Sequence, residues 1–201
     1  MKNLNVLFAV LIVGTFQTLS AQDFNDQASA SHSLSYVVPQ IAILDIFDTN
    51  GNIHEPSFIL LNADHGTATE AGTYDFTTMD YNSLFINYTS VVPAAAADLN
   101  HIDVSVSGTL PSGANLRITP QQPVIVAGGG DASKGVSVTG GVIFNNDNLA
   151  PKTLVNTIGS VYTGDGAHGV QLNYALEQVG EFTDFKAGTY NADVTYTISN
   201  I

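Results

Sequence analysis

Apolar side chains in this chain recur at every second residue, and that spacing limits the fold more than any other feature. Leu34, Tyr36 and Val38 alternate with Ser33, Ser35 and Val37, and Ile102, Val104 and Val106 alternate with Asp103, Ser105 and Ser107. The same phase runs through Val170, Leu172, Tyr174 and Leu176, and through Val194, Tyr196 and Ile198 against Thr195, Thr197 and Ser199. Successive strand residues point to opposite faces, so a period of two gathers the apolar groups on one side. Val, Ile, Thr and Tyr also pack well on a pleated surface. No segment carries the spacing of an amphipathic helix, and Ala94 to Ala97 behind Pro93 amount to a single turn.

Turn formers punctuate these runs: Asn50-Gly51, Pro111-Ser112-Gly113, Gly128-Gly129-Gly130, Gly140-Gly141, Gly164-Asp165-Gly166 and Gly188. They predict about nine strands, near 33–47, 57–62, 82–90, 101–108, 114–119, 135–144, 153–162, 169–178 and 189–199. Pro39 cannot donate to a ladder, so it kinks the first strand or sets it on an edge. Half-buried antiparallel strands with short turns predict an all-β fold, a two-sheet antiparallel β-sandwich of Ig-like or pilin-like type. A closed transmembrane barrel fits less well, because Ile201 falls out of phase with the last run and no paired aromatic girdles are present.

The first residues read as an address label. Lys2 precedes the apolar stretch Val6 to Val13, and Ser20-Ala21 supplies small residues for cleavage. The expected organisation is a signal peptide over 1–21, a polar arm over 22–32 and one β-sandwich domain over 33–201. The apolar stretch is too short for the roughly 20 residues of a spanning helix, and no later segment reaches that length, so no membrane span is expected. An export signal without any cysteine points to a bacterial protein held by its core.

Eighteen acidic residues against five Lys and Arg give a formal charge of −13. Phosphate recognition needs clustered cations, so nucleic acid is not an expected partner. The absence of Cys removes thiolate metal sites, cysteine nucleophiles and disulfides. The five histidines stand in no zinc-protease spacing, and no G-x-S-x-G elbow occurs. Gly128 to Gly135 lacks the phosphate-loop order of Gly and Lys and reads as a flexible loop. Paired carboxylates for glycoside hydrolysis carry no weight among so many acids, and the Trp platform that favours sugars is missing. The one ligand pattern is Asp48-Thr49-Asn50-Gly51-Asn52, where Asp48, Asn50 and Asn52 place oxygens at alternate positions as a calcium loop does. Ile53 and Ile59 stand where an EF-hand needs Gly and Glu, and Asn, Asp and Gly are also what ordinary turns are made of.

The segment Lys186-Ala187-Gly188-Thr189-Tyr190-Asn191-Ala192-Asp193-Val194-Thr195-Tyr196 resembles the ending of bacterial surface β-sandwiches, including fimbrial-subunit-like domains and WxL-type wall proteins. Val161 to Gly166, Leu172 to Leu176, Ile41 to Ile46 and Leu110 to Ala114 are similar to an uncharacterised group of secreted Gram-negative proteins. The resemblance brings no active residues. It implies an exported, non-catalytic protein with a structural or adhesive role at the cell surface, in the periplasm or outside a Gram-negative cell, touching a surface protein or itself. The alternative is a calcium- or glycan-binding module using the loops Asp48 to Asn52 and Gly164 to His168. Within the ending, Gly188 permits a sharp turn and Tyr190 can return its hydroxyl to cap the backbone, as in an immunoglobulin tyrosine corner. Ala192 replaces the Cys of that motif, the WxL tryptophan is absent, and 22–32 offers only Phe24 as a donor-strand anchor.

Overall fold

The computed structural model describes residues 31–54, 56, 61, 80–94, 99–186 and 188–200. The predicted signal peptide and most of the predicted arm and 57–62 strand lie outside the described residues; Leu61 packs against the core without entering a strand. Among the described residues there are eleven strands: β1 Ile41–Asp48, β2 Ile53–His54, β3 Asp80–Val91, β4 Asn100–Gly108, β5 Ala114–Pro120 and β6 Lys134–Ser137, followed by β7 Val142–Phe144, β8 Lys152–Ile158, β9 Val161–Tyr162, β10 Val170–Gln178 and β11 Ala192–Asn200. All pair antiparallel. One sheet runs β2-β1-β3-β10-β5-β7 with β9 added beside β3, and the other runs β11-β4-β8-β6. The fold is the expected two-sheet β-sandwich.

The alternation explains the packing. Asn100, Ile102, Val104 and Val106 of β4 are buried while the intervening residues are half-exposed, and Ala114, Leu116, Ile118 and Pro120 do the same on β5. Leu84, Ile86 and Tyr88 of β3 and Val170, Leu172 and Tyr174 of β10 line the inner face of the larger sheet. From the smaller sheet, Ile102, Val104, Leu154, Val155 and Ile158 meet them, with Val194, Tyr196 and Ile198 of β11 packed alongside. Three tyrosines tie the layers: Tyr88 donates its hydroxyl to the Lys134 carbonyl, and Tyr174 and Tyr196 share a hydroxyl–hydroxyl hydrogen bond. Burial drives the phenol pKa of Tyr88 and Tyr174 far up. Tyr196 is raised by burial first and by Tyr174 second.

Three expectations require correction. The first strand begins at Ile41 instead of 33; Leu34, Tyr36 and Val38 are 81%, 82% and 66% exposed and belong to no strand. Alternation sets which face a strand would bury, but a face is buried only where a partner exists, and Pro39 interrupts the ladder. The run 135–144 is two strands in different sheets, parted at Gly140-Gly141. A Cβ at Gly141, where φ is +74°, would lie 2.5 Å from the Ile118 carbonyl oxygen, so the crossing between sheets needs glycine there. The run 153–162 likewise divides into β8 and β9, the chain again changing sheets at Gly159-Ser160. Both breaks look continuous to a reader who follows only apolar spacing.

Candidate functional site

Asp48 ends β1, and Asn50 and Asn52 lie in the connection to β2. Asp48 is buried; its Oδ1 accepts the Asn50 N–H at 2.8 Å and its Oδ2 accepts the Tyr81 hydroxyl at 2.5 Å. Burial and the Asp48 carboxylate raise the Tyr81 pKa. Both oxygens of Asp48 thus close an Asx turn and anchor it to β3, while Asn50 and Asn52 face solvent. The turn Asn145–Asn148 works the same way. Asn145 Oδ1 accepts the Asp147 N–H at 3.1 Å, and Asn146 exchanges two 2.9 Å hydrogen bonds with the Leu110 backbone. The glycine segment at 128–130 is not a free loop. Gly129 accepts the Tyr162 N–H at 2.9 Å, and a Cβ on Gly129 would collide with the Tyr162 carbonyl, so glycine lets this segment lie directly on β9.

A different constellation forms on the outer face of the larger sheet. Antiparallel register sets Asp45 opposite Asn87 and Phe47 opposite both Phe85 and His54, so Asp45, Phe47, His54 and Asn87 share one face. The segment 163–169, between β9 and β10, is bonded to that face. Asn87 Nδ2 donates to the carbonyls of Gly166 (3.2 Å) and His168 (2.8 Å). Asp165 is thereby brought to His54, whose Nδ1 lies 3.7 Å from Asp165 Oδ1 and 3.4 Å from Asp45 Oδ2. The buried Phe47 ring packs at 5.0 Å against the His54 imidazole. Beside this trio, Ile43, Asp45, Asn87, Thr89, Tyr162 and Asp165 help to line an open groove of about 260 Å³.

One Ser–His–Asp grouping also occurs, on the outer face of the smaller sheet. Ser199 Oγ and Asp103 Oδ2 each lie 3.3 Å from His101, but both approach the same nitrogen, Nε2. A relay needs the carboxylate on one ring nitrogen and the hydroxyl on the other. This arrangement does not build that path.

Spacing along the chain hides the Asp45–His54–Asp165 trio, because its members come from β1, β2 and a loop more than a hundred residues later. The available signal was partial. A hairpin centred on Asn50-Gly51 places residues 45 and 54 on one face once its register is known. Of the two loops proposed for ligand binding from the sequence, Gly164 to His168 contributes Asp165 to the trio, whereas Asp48 to Asn52 contributes no member and His54 stands beyond it in β2. The Tyr190 hydroxyl does return to the backbone, donating to the Lys186 carbonyl at 2.8 Å. No family model, no curated protein and no solved structure matches the chain.

Proposed function

We propose that this chain is an exported, non-catalytic β-sandwich with a structural or adhesive role at a Gram-negative cell surface or in the periplasm, and that it makes contact through the groove beside Asp45 and Asp165. One observation carries the reading. Ile43, Thr89 and Tyr162 form a cross-strand row over β1, β3 and β9, and its two apolar members are 62% and 48% exposed. An exposed aliphatic and an exposed aromatic side chain held on a hydrogen-bonded sheet offer contact area that is already ordered, so little entropy is lost on docking. The two aspartates at the margin supply the polar rim that such contacts use. The acidic surface keeps the free protein soluble.

A glycan reading draws on the same groove, because the Tyr162 ring stands beside two carboxylates that accept sugar hydroxyls. The volume is below the ~300–1,000 Å³ of small-molecule clefts, which limits the occupant to one sugar unit or one side chain. Size exclusion with negative-stain microscopy tests the main reading against the Ile43→Ser/Tyr162→Ser variant. Concentration-dependent assemblies that the double substitution dissolves support adhesion through this row. A monomer at every concentration, with Tyr fluorescence shifted by sugars, favours the glycan reading. Assemblies indifferent to the substitution refute the groove as the contact surface.

A further inference from the structure

We infer that Asp45, His54 and Asp165 bind a divalent cation of the zinc type through one imidazole nitrogen and two carboxylate oxygens. The three ligand atoms lie within 4.8 Å of one another. Around a tetrahedral cation with bonds of roughly 2.1 Å, neighbouring donors stand about 3.4 Å apart. The separations from His54 Nδ1, 3.4 Å and 3.7 Å, therefore already suit a shared ion. Without an ion, the 3.4 Å contact between His54 Nδ1 and Asp45 Oδ2 is a hydrogen bond, longer than the roughly 2.7–2.9 Å to which charge-assisted pairs close. The trio also brings two carboxylates to one imidazole, and a cation shared among them favours both charged carboxylates.

The surroundings hold the ligands in place. Asp45 Oδ1 accepts the Ile46 N–H at 2.8 Å, which leaves Oδ2 turned to His54. Phe47 fixes the imidazole plane, and the hydrogen bonds of Asn87 hold the Asp165 loop. Asn87 also borders the trio. It is 6% exposed, lines the same groove as Asp45 and Asp165, and its Oδ1 has no hydrogen-bond partner. Its two carbonyl contacts require the NH₂ group on their side, so the amide orientation is determined and the orphan acceptor is real.

Imidazole with two carboxylates is a borderline set that suits zinc-like ions, whereas calcium and magnesium prefer oxygen alone. Three protein ligands on an exposed face leave at least one position for water or for a donor from outside the chain. The ion would pin β1, β2 and the 163–169 loop together. It does not depend on the adhesive reading.

Calorimetric titration of the chelator-stripped full chain with Zn²⁺ alone, paired with thermal melts, is the test. One saturable ion per chain is expected, with a Tm rise of about 5–10 °C at a hundredfold excess over Kd. His54→Ala and Asp165→Asn should each weaken binding at least tenfold with an unchanged circular-dichroism spectrum, while His101→Ala binds as wild type. No saturable binding, or binding that survives His54→Ala or disappears in His101→Ala, overturns the site. A calcium response equal to that of zinc overturns the ion class.

Discussion

Replacing Asn87 isolates what holds the 163–169 loop to the sheet. In the native chain its amide nitrogen serves two loop carbonyls, Gly166 at 3.2 Å and His168 at 2.8 Å. Asn87→Ala removes both hydrogen bonds, each worth about 1 kcal/mol net and more where the acceptor stays dry. Losing the unpartnered Oδ1 offsets part of that cost. The balance is a destabilisation of about 2 kcal/mol, or about 4–8 °C in Tm for a chain of this size. Asn87→Asp is nearly isosteric but sets a carboxylate against two carbonyl oxygens, so it should cost more than the alanine. Urea unfolding gives the stability, with the midpoint moving and the slope unchanged. Hydrogen exchange gives the location: the amides of Thr163 and His168, bonded to Tyr88 and Gly166 carbonyls at 3.0 Å and 2.8 Å, should lose protection before those of β4. The reasoning fails if Asn87→Ala costs under about 0.5 kcal/mol with loop protection intact, or if Asp is tolerated better than Ala.

Two further outcomes follow from the packing. The buried phenols of Tyr88, Tyr174 and Tyr196 have folded pKa values raised above their unfolded value of 10.0, so their stabilising contribution is complete below pH 10 and declines as pH rises beyond it. Absorbance at 295 nm should therefore show part of the tyrosine ionisation arriving only with alkaline unfolding, and a single smooth titration of the folded chain would contradict this. Gly140 and Gly141 share a positive φ but differ in space, since a Cβ at Gly140 meets nothing within 4 Å. Gly140→Ala should cost about 1–2 kcal/mol from backbone strain alone and Gly141→Ala distinctly more, read by thermal melting; equal costs would deny the close approach to Ile118.

Alternation was most legible in three strands inside the sheets, whereas β1 and β8, which also have neighbours on both edges, were misread at one end where apolar spacing runs past the ladder. β4, β5 and β10 lie between two partners each, so their alternation is expressed in full and their limits are readable within a residue or two. Residues 33–38 carry an equally regular pattern, yet no described strand flanks them. Period two describes a preference for having one buried face; it holds no information on whether a partner arrives. The division at Gly159-Ser160 was masked for the converse reason, because apolar residues stand on either side whichever sheet they join, and at Gly140-Gly141 the same apolar flanks outweighed a turn signal that was present.

The same distinction separates the two candidate sites. Asp48, Asn50 and Asn52 are neighbours in sequence, so they are easy to notice, and the same closeness lets Asp48 satisfy itself locally with the Asn50 N–H. Asp45 and Asp165 each spend only Oδ1 on the next residue's N–H, at 2.8 Å and 2.7 Å, and keep Oδ2 free of any local turn bond. Asp45, His54 and Asp165 are each placed by a longer-range constraint: β1–β2 pairing for the first two, and the Asn87 amide for the third. Side chains that a turn can satisfy are visible along the chain and have little capacity left for a ligand. Those assembled by register are invisible along the chain and retain it, which is why Asp45 Oδ2 and His54 Nδ1, and not Asp48, are the atoms on which a cation should be sought.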